Sequence, residues 1–206
     1  MKRRMIYFAA MVGLVGVAVA AWTMTARAGY ESAEYKVIES DGNIEIREYP
    51  DLMLAATDSK MDSQGRDGSF MRLFRYISGA NEDDQKIAMT TPVFMEGEVG
   101  KSGVSMGFVM PKEVAAEGVP EPKGEGVKIR KRQGGRFAVI RFSGRLDSQV
   151  AKEQEAKLRE WMKSRGFEGE SKAEAAGYDP PFTPGPLRRN EVLIRLNDTA
   201  NTEPES

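Results

Sequence analysis

The chain of 206 residues contains no cysteine and no histidine. Without cysteine, the fold cannot be held by disulfide bonds, and a cofactor cannot be attached through thioether bonds. Without histidine, the chain lacks the commonest metal ligand and the commonest general base, which excludes histidine-based zinc hydrolysis and Ser-His-Asp catalysis. The carboxylates of Asp62, Asp147, Asp179 and Glu191 each fit a helix cap, a turn or an ion pair. We therefore expect a binding protein rather than an enzyme.

A strong excess of positive charge is also missing. The chain has 30 basic and 31 acidic side chains, and all four charged residues in the first 28 positions are basic. The remaining part therefore carries 26 basic and 31 acidic side chains, and its longest basic block is the short run at residues 130–132. Because nucleic acids are bound through extended basic surfaces, we expect no nucleic-acid partner.

Residues 1–28 have the pattern of an export signal. A basic start at residues 2–4 precedes an uncharged run at 5–26, and Ala26-Arg27-Ala28 places small residues at the two positions that an export peptidase recognises. The uncharged run is longer than is usual for a signal, and about 20 residues are enough to cross a bilayer. Two outcomes remain open: cleavage after Ala28 releases the protein, or residues 5–26 stay as an inner-membrane tether. In both cases we expect a periplasmic or membrane-anchored protein whose remaining chain faces the periplasm.

Residues 29–198 are expected to form one domain, followed by a disordered tail at 199–206. The predicted strands of its first half cover residues 37–38, 44–46, 52–56, 87–95 and 104–110. Between them, an i, i+3, i+4, i+7 spacing predicts a helix with one apolar face, formed by Phe70, Leu73, Phe74 and Ile77. The segment 111–126 is rich in Glu, Lys, Gly and Pro and is expected to be a surface connection.

The second half repeats the pattern of the first. Val-Lys-Ile-Arg at 127–130 matches Ile-Glu-Ile-Arg at 44–47, and a second helix is predicted at 148–165, ending at Gly166. Two closing strands are predicted at 173–178 and 192–196. The sequence therefore predicts an α+β fold in which a duplicated ββαββ unit, with one extra strand in front, forms a distorted, open barrel of about nine strands with two flanking helices.

A proline-rich loop at residues 178–190 separates the last two predicted strands. Its four prolines, at positions 180, 181, 184 and 186, fix backbone dihedrals and remove amide donors, so the loop is expected to be stiff. It carries apolar side chains and two adjacent cations, which suit a flat apolar ligand with acidic groups. In the alternative interpretation, the arginines pair with nearby carboxylates and the prolines only brace a hairpin. The side chains concerned are Tyr178, Phe182, Leu187, Arg188 and Arg189.

Three motifs together resemble the SOUL haem-binding protein family. They are IAMTTPV at 87–93, FAVIRFSG at 137–144, and GYDPPF at 177–182 followed by RRNEVLI at 188–194. The resemblance covers roughly residues 35–197 and implies a pseudo-symmetric barrel that binds haem or another tetrapyrrole without a covalent bond. Bacterial drug-sensing effector domains share this architecture, so a small-molecule or protein interaction module is the alternative.

The resemblance also implies a site between the first helix and the proline-rich loop. Phe70, Phe74 and Arg75 would contribute from the helix, and the five loop side chains named above would complete an apolar wall with cations for the haem propionates. Phe70 and Phe74 have an alternative role, because the same stripe must pack on the sheet. Some relatives have been credited with an axial histidine, which this chain lacks. Iron would be held by Tyr76, Tyr178 or Met71, or bound without strong axial ligation. The expected function is that of an exported haem carrier, buffer or scavenger.

The first testable prediction concerns export. Because the apolar run and the small residues at Ala26 and Ala28 match an export signal, we expect the mature protein in the periplasmic or membrane fraction. N-terminal sequencing of that protein distinguishes the two outcomes: a start at Gly29 indicates cleavage, and an intact N-terminus in the membrane fraction indicates a tether. Intact protein found free in the cytoplasm would contradict both.

Overall fold

The computed structural model describes residues 29–59, 68–97, 104–180 and 183–197. The predictions for residues 1–28, Asp62, Phe182 and the tail at 199–206 lie outside these ranges. The strands are β1 (Glu31–Ser32), β2 (Lys36–Asp41), β3 (Ile44–Tyr49), β4 (Leu52–Ser59), β5 (Thr90–Thr91), β6 (Val93–Glu96), β7 (Val104–Val109), β8 (Lys128–Arg132), β9 (Gly135–Ser143), β10 (Gly169–Gly177) and β11 (Arg189–Leu196). The helices are α1 (Ser69–Ile77), α2 (Lys112–Glu117) and α3 (Ser148–Ser164), and a 3₁₀ turn covers Gly185–Leu187.

Nine of these strands form one antiparallel sheet with a pseudo-two-fold arrangement. The order is β2-β3-β9-β11-β10-β6-β7-β4-β8, so the central pair is β6 with β10. The first strand of each repeat pairs with the second strand of the other repeat, β3 with β9 and β8 with β4. The two halves are therefore interlocked, and the predicted duplication is confirmed. β2 is the extra strand at one edge, and the sheet stays open between β2 and β8.

The consecutive strands β3 and β4 do not pair with each other. Their connection consists of Pro50 and Asp51, and the turn between β8 and β9 lies directly against it. The amide of Gly134 donates to the carboxylate of Asp51, and a Cβ at Gly134 would lie 2.5 Å from the carbonyl oxygen of Tyr49. Only glycine permits this approach, which holds the crossing point of the two repeats together.

Both long helices cover the same face of the sheet. α1 packs on β4 and β7, and α3 packs on β9 and β11. Alternate strand residues divide the core accordingly, because neighbouring side chains point to opposite faces. On β4, Ala55 belongs to the cluster beneath α1, whereas Leu54 belongs to the cluster on the other face, the interior of the open barrel.

Several predicted elements need correction. The segment 111–126 is not a plain surface connection, since it contains α2, and the described residues therefore form three helices in place of the two predicted. The strand predicted at 87–95 begins only at Thr90 and is divided at Pro92, which has no amide hydrogen to donate. The ends of α3 agree with prediction: the carboxylate of Asp147 accepts from the amides of Gln149 and Val150, both at 3.0 Å, and Gly166 has φ of 72°.

The face that α1 buries also differs from prediction. Leu73 and Ile77 are buried as expected, and Phe70 packs half-buried against the same cluster, but the other buried positions are Ser69 and Tyr76 and not Phe74. The hydroxyl of Tyr76 donates to the carbonyl oxygen of Pro120 at 2.7 Å, which draws this side of the helix inward. The helix is thereby rotated about its axis, and Phe74 is left 43% exposed.

Candidate functional site

The outer face of α1 carries an apolar surface that the fold does not cover. Met71 is 49% exposed and Phe74 is 43% exposed. The rings of Phe70 and Phe74 stack with centroids 6.2 Å apart and planes 12° apart, and Phe70 contacts the ring of Phe108 edge-on at 5.3 Å. The four-residue spacing aligns the two phenylalanines along one side of the helix. Large apolar side chains left exposed together mark a contact surface.

The two phenylalanines of this surface lie toward the centre of the sheet, whereas Met71, about 200° around the helix from the fully buried Leu73, points away from the sheet. Arg72 reaches in the opposite direction, toward β4, where its guanidinium donates to Thr57 Oγ1 at 3.0 Å and to the Asp58 carbonyl oxygen at 2.6 Å. Residues two positions apart on a helix point in nearly opposite directions. Phe70 and Phe74 therefore lie on the side of α1 that faces β6 and β10.

A row of paired residues connects α1 to the proline-rich loop. Phe108 on β7 pairs with Val93 on β6, and Val93 pairs with Gly177 at the end of β10. Directly paired residues share a face of the sheet, and two strand spacings amount to about 10 Å. Among the described residues, a Cβ at Gly177 would meet only the Asn190 side chain, at 4.0 Å, so these residues leave the position open. We call Phe70, Phe74, Val93 and Gly177 the shelf.

The loop divides its side chains between the two faces. Tyr178 is 5% exposed and belongs to the interior cluster, opposite to the shelf. Arg189 lies over the Tyr178 ring at 4.1 Å and forms a salt bridge with Glu191 at 2.6 Å. Leu187 and Arg188 are half-buried at the end of the loop, where Arg188 Nε donates to the Thr183 carbonyl oxygen at 2.7 Å.

The predicted site residues are therefore only partly brought together. Phe70, Phe74 and the exposed Arg75 share the outer side of α1. Tyr178 and Arg189 are turned to the interior face, where Arg189 behaves as the alternative interpretation of the loop expected, by pairing with a carboxylate. The sequence analysis did not identify Gly177 as a candidate site residue. The available signal was a glycine inside a strand pattern, because such a glycine marks a position that a ligand or another backbone can approach closely.

Glu191 is the centre of a buried charged cluster on the interior face. Its carboxylate is fully buried and accepts from Arg47 at 2.8 and 3.0 Å, from Arg189 at 2.6 Å and from the Tyr178 hydroxyl at 2.8 Å. Arg47 also donates to the Tyr49 hydroxyl at 3.0 Å. The role of Arg47 was missed, although a charged residue alternating with isoleucine in a buried strand signals a buried partner. We call these five residues the Glu191 cluster.

The cluster fixes the charges of its members. Burial by itself raises the pKa of the Glu191 carboxyl, but the hydrogen bonds and charges of Arg47 and Arg189 outweigh it and hold that pKa below the usual 4.5. Burial, together with the charge of Glu191, raises the pKa of the Tyr178 phenol well above 10. Burial likewise raises the pKa of Tyr49 to about 12. Both phenols are therefore protonated near neutral pH, and Glu191 is ionised.

In the part of the chain that the structure describes, the aspartates and glutamates do not gather into a group of three or more suited to holding a metal ion. Within the same ranges, none of the helices combines the length and the apolar character that crossing a bilayer requires.

Comparison with known proteins identifies the class. Residues 30–195 match the family described as SOUL heme-binding protein, so this chain belongs to the SOUL family of haem-binding proteins. One relative is Heme-binding protein 1 of Xenopus tropicalis, which is 28% identical over 181 residues; the similarity covers 82% of this chain and 94% of that protein. Proteins of this family are binding proteins rather than enzymes.

Solved structures share the architecture at much lower sequence identity. A structure described as a hydrolase from Listeria innocua superposes with a TM-score of 0.55 at 13% identity, covering 78% of this chain and 94% of that one. The EcmrR C-terminal domain gives a TM-score of 0.52 at 12% identity, covering 79% and 98%. At these identities the likeness establishes an open barrel-like fold and carries no activity across.

A stability prediction follows from the Glu191 cluster. Glu191→Gln removes the charged partner of the half-buried Arg189 and one of the two carboxylates paired with the buried Arg47, the other being Glu45. It should lower the free energy of unfolding at pH 7 by about 3 kcal/mol. Because the pKa of Glu191 is depressed in the folded state, its contribution is present above pH 4.5 and is lost as the pH falls through the folded-state pKa. The difference between parent and variant should therefore shrink in acid.

Urea unfolding at pH 7 and at pH 3 measures both effects. The matched control is Glu170→Gln, whose side chain is 50% exposed and should change stability by less than about 1 kcal/mol. A Glu191→Gln variant as stable as the parent at pH 7 would show that the cluster does not hold the strands together.

Proposed function

We propose that this protein is an exported, non-covalent binder of haem or a related tetrapyrrole, and that the macrocycle lies on the shelf between α1 and the proline-rich loop. The observation that carries the proposal is the exposed apolar side of α1, in a chain of the SOUL haem-binding family. In an ordinary amphipathic helix, Phe74 would be packed against the sheet and Met71 replaced by a polar residue.

The shelf has the properties that a flat apolar ligand requires. The stacked rings of Phe70 and Phe74 supply a broad apolar wall, and the missing side chain at Gly177 leaves room beside it. Burial of Phe74 and Met71 under the ligand contributes up to about 1.5–3 kcal/mol of binding free energy for each side chain that becomes fully buried. When bound, haem supplies a redox-active iron and a strong visible absorption band.

Cations at the rim suit the two propionates of haem. Arg75 is exposed at the outer side of α1, and Arg188 is oriented at the loop end by its bond to Thr183. We assign the propionate contacts to these two arginines. Arg189 is not included, because its guanidinium is bound to Glu191 on the opposite face of the sheet. Charge-assisted contacts of this kind contribute about 1.5–3 kcal/mol each when partly shielded from water.

The biological role that we propose is carriage, buffering or scavenging of haem outside the cytoplasm. The export pattern of residues 1–28 supports this location, either for a released protein or for one tethered through residues 5–26. A non-covalent site without histidine or cysteine suits a protein that must release its ligand again, because strong axial bonds slow dissociation.

The prediction for this site is a loss of haem affinity on changing the shelf. Phe74→Ser removes the exposed ring and should weaken binding by at least ~10-fold, since one buried phenylalanine corresponds to more than about 1.4 kcal/mol. Gly177→Leu should also weaken binding, because its side chain fills the open part of the shelf. Titration with haemin, followed by the Soret band, measures the affinity.

The matched control is Ile38→Ser on the edge strand β2, where the isoleucine is 46% exposed and remote from the shelf along the sheet. This variant should bind as the parent does. Unchanged affinity of both shelf variants would contradict the proposed location. A parent protein that produces no Soret band, but retains another small molecule or a protein in a pulldown, would replace haem binding by the interaction-module function.

A further inference from the structure

A cleft separate from the shelf opens at the end of the sheet where β3 joins β4. It has a volume of about 510 Å³, which lies within the range of small-molecule sites. None of the four shelf residues lines it. The apolar part of its lining comes from Ala33, Leu52, Met53, Val109, Met110 and Ala115. The proposed haem site therefore does not use this cleft.

Two elements that the haem site does not use form the outer wall of the cleft, β1 and α2. β1 is fixed to the fold by pairing with β5, and the amide of Ala33 donates to the β5 backbone at 2.7 Å. α2 is joined to β1, because the amide of Lys112 donates to the carboxylate of Glu31 at 3.0 Å. Toward the cleft, α2 presents Ala115 and Ala116, and these small side chains leave the space beside them unfilled.

Two ion pairs stand at the rim of the cleft. Lys112 pairs with Glu34, and Lys131 Nζ lies 2.5 Å from the carboxylate of Asp51. The four side chains are 47–64% exposed, and pairs this exposed contribute little, so a ligand replaces one partner at small cost. A head with a phosphate and an ammonium group matches both charges, since the phosphate pairs with a lysine and the ammonium with the carboxylate that the lysine leaves. A purely anionic head leaves that carboxylate unpaired.

The cleft also lies close to the segment that we propose as a membrane tether. The uncharged run ends at residue 26, and β1 begins at Glu31. Five residues of fully extended chain reach at most about 18 Å, so in the tethered form this wall of the cleft stays within that distance of the end of the run. The nearest source of an apolar ligand is then the membrane itself, whose lipids combine acyl chains with charged heads.

We propose that this cleft binds one single-chain phospholipid with a zwitterionic phosphate–ammonium head, taken from the membrane. The acyl chain covers Leu52, Met53 and Met110, and the head lies between the two ion pairs of the rim. Binding is non-covalent. The nearness of the membrane rests on the proposed export, whereas the cleft and its rim are independent of the haem site.

The test is a methyl NMR titration of the full chain with monolauroyl phosphatidylethanolamine below its micelle concentration. The methyl resonances of Met53 and Met110 should shift and saturate, because both side chains line the cleft. Laurate, which carries the same acyl chain on an anionic head, should bind about 2–5-fold more weakly. Glycerophosphoethanolamine, the head without its acyl chain, should cause no shift, since it has no apolar surface to bury.

Ala116→Phe fills the cleft from its exposed wall and should weaken phospholipid binding at least ~10-fold, since the ring displaces two or more methylene groups of the acyl chain. Ala115→Phe tests the same wall from the neighbouring position. The matched control is Ala156→Phe, an exposed position of α3 that does not line the cleft and should leave binding unchanged.

Glu34→Gln removes one carboxylate from the rim and should reduce the preference for the phospholipid over laurate by about 2–5-fold. Its matched control is Glu170→Gln, which removes a carboxylate from an exposed ion pair with Arg195 outside the cleft and should keep the preference.

Unchanged Met53 and Met110 resonances on addition of the phospholipid would overturn the inference, and so would equal affinity for the phospholipid and for laurate. Haemin affinity should be the same in Ala116→Phe as in the parent. A loss of haemin affinity there would show that the cleft belongs to the haem site, which would also overturn the inference. A protein that binds the phospholipid but gives no Soret band with haemin would support the cleft and remove the proposed haem site.

Discussion

The fold depends most on the buried ion cluster around Glu191. The carboxylate of Glu191 on β11 accepts hydrogen bonds from Arg47 on β3 and from Arg189 on its own strand. It also accepts a hydrogen bond from the hydroxyl of Tyr178 in the loop. Such a cluster adds little net stability over an apolar core, but removing a single member is costly, so it selects one arrangement. The cluster holds Tyr178 and Arg189 on the interior face, whereas Leu187 and Arg188 stay half-buried at the end of the loop.

The two repeats of the fold have diverged at their helices. α3 buries its apolar side, with Leu158 fully covered and Trp161 stacked on Phe167 at 5.8 Å, and among the described residues it exposes no large apolar side chain. α1 is rotated so that Phe74 and Met71 face outward. Both helices pack on the sheet, but among the described residues only α1 also leaves large apolar side chains exposed. We place the ligand beside α1 because, of the two equivalent helices, it is the one with exposed apolar side chains among the described residues.

The duplication was predictable because Ile-Glu-Ile-Arg and Val-Lys-Ile-Arg repeat the same alternation, which follows from local chemistry. The face of Arg189 was not predictable, because adjacent strand residues point to opposite faces and a shift of one position exchanges them. The rotation of α1 could not be predicted for a different reason. It depends on the hydrogen bond from the Tyr76 hydroxyl to the carbonyl oxygen of Pro120, which lies 44 positions away in the sequence. α2 was not predicted because its six residues are too few to show a helical period of apolar side chains.

The claim that the ligand lies on the shelf is tested most directly by methyl NMR of the protein titrated with metal-free protoporphyrin. The ring current of a bound macrocycle shifts nearby methyl resonances, so the account predicts large shifts for Met71 and Val93. The methyl groups of Val37 and Ile38, exposed on the distant edge strand β2, should not move. Shifts concentrated at Val37 and Ile38, with Met71 and Val93 unchanged, would contradict it.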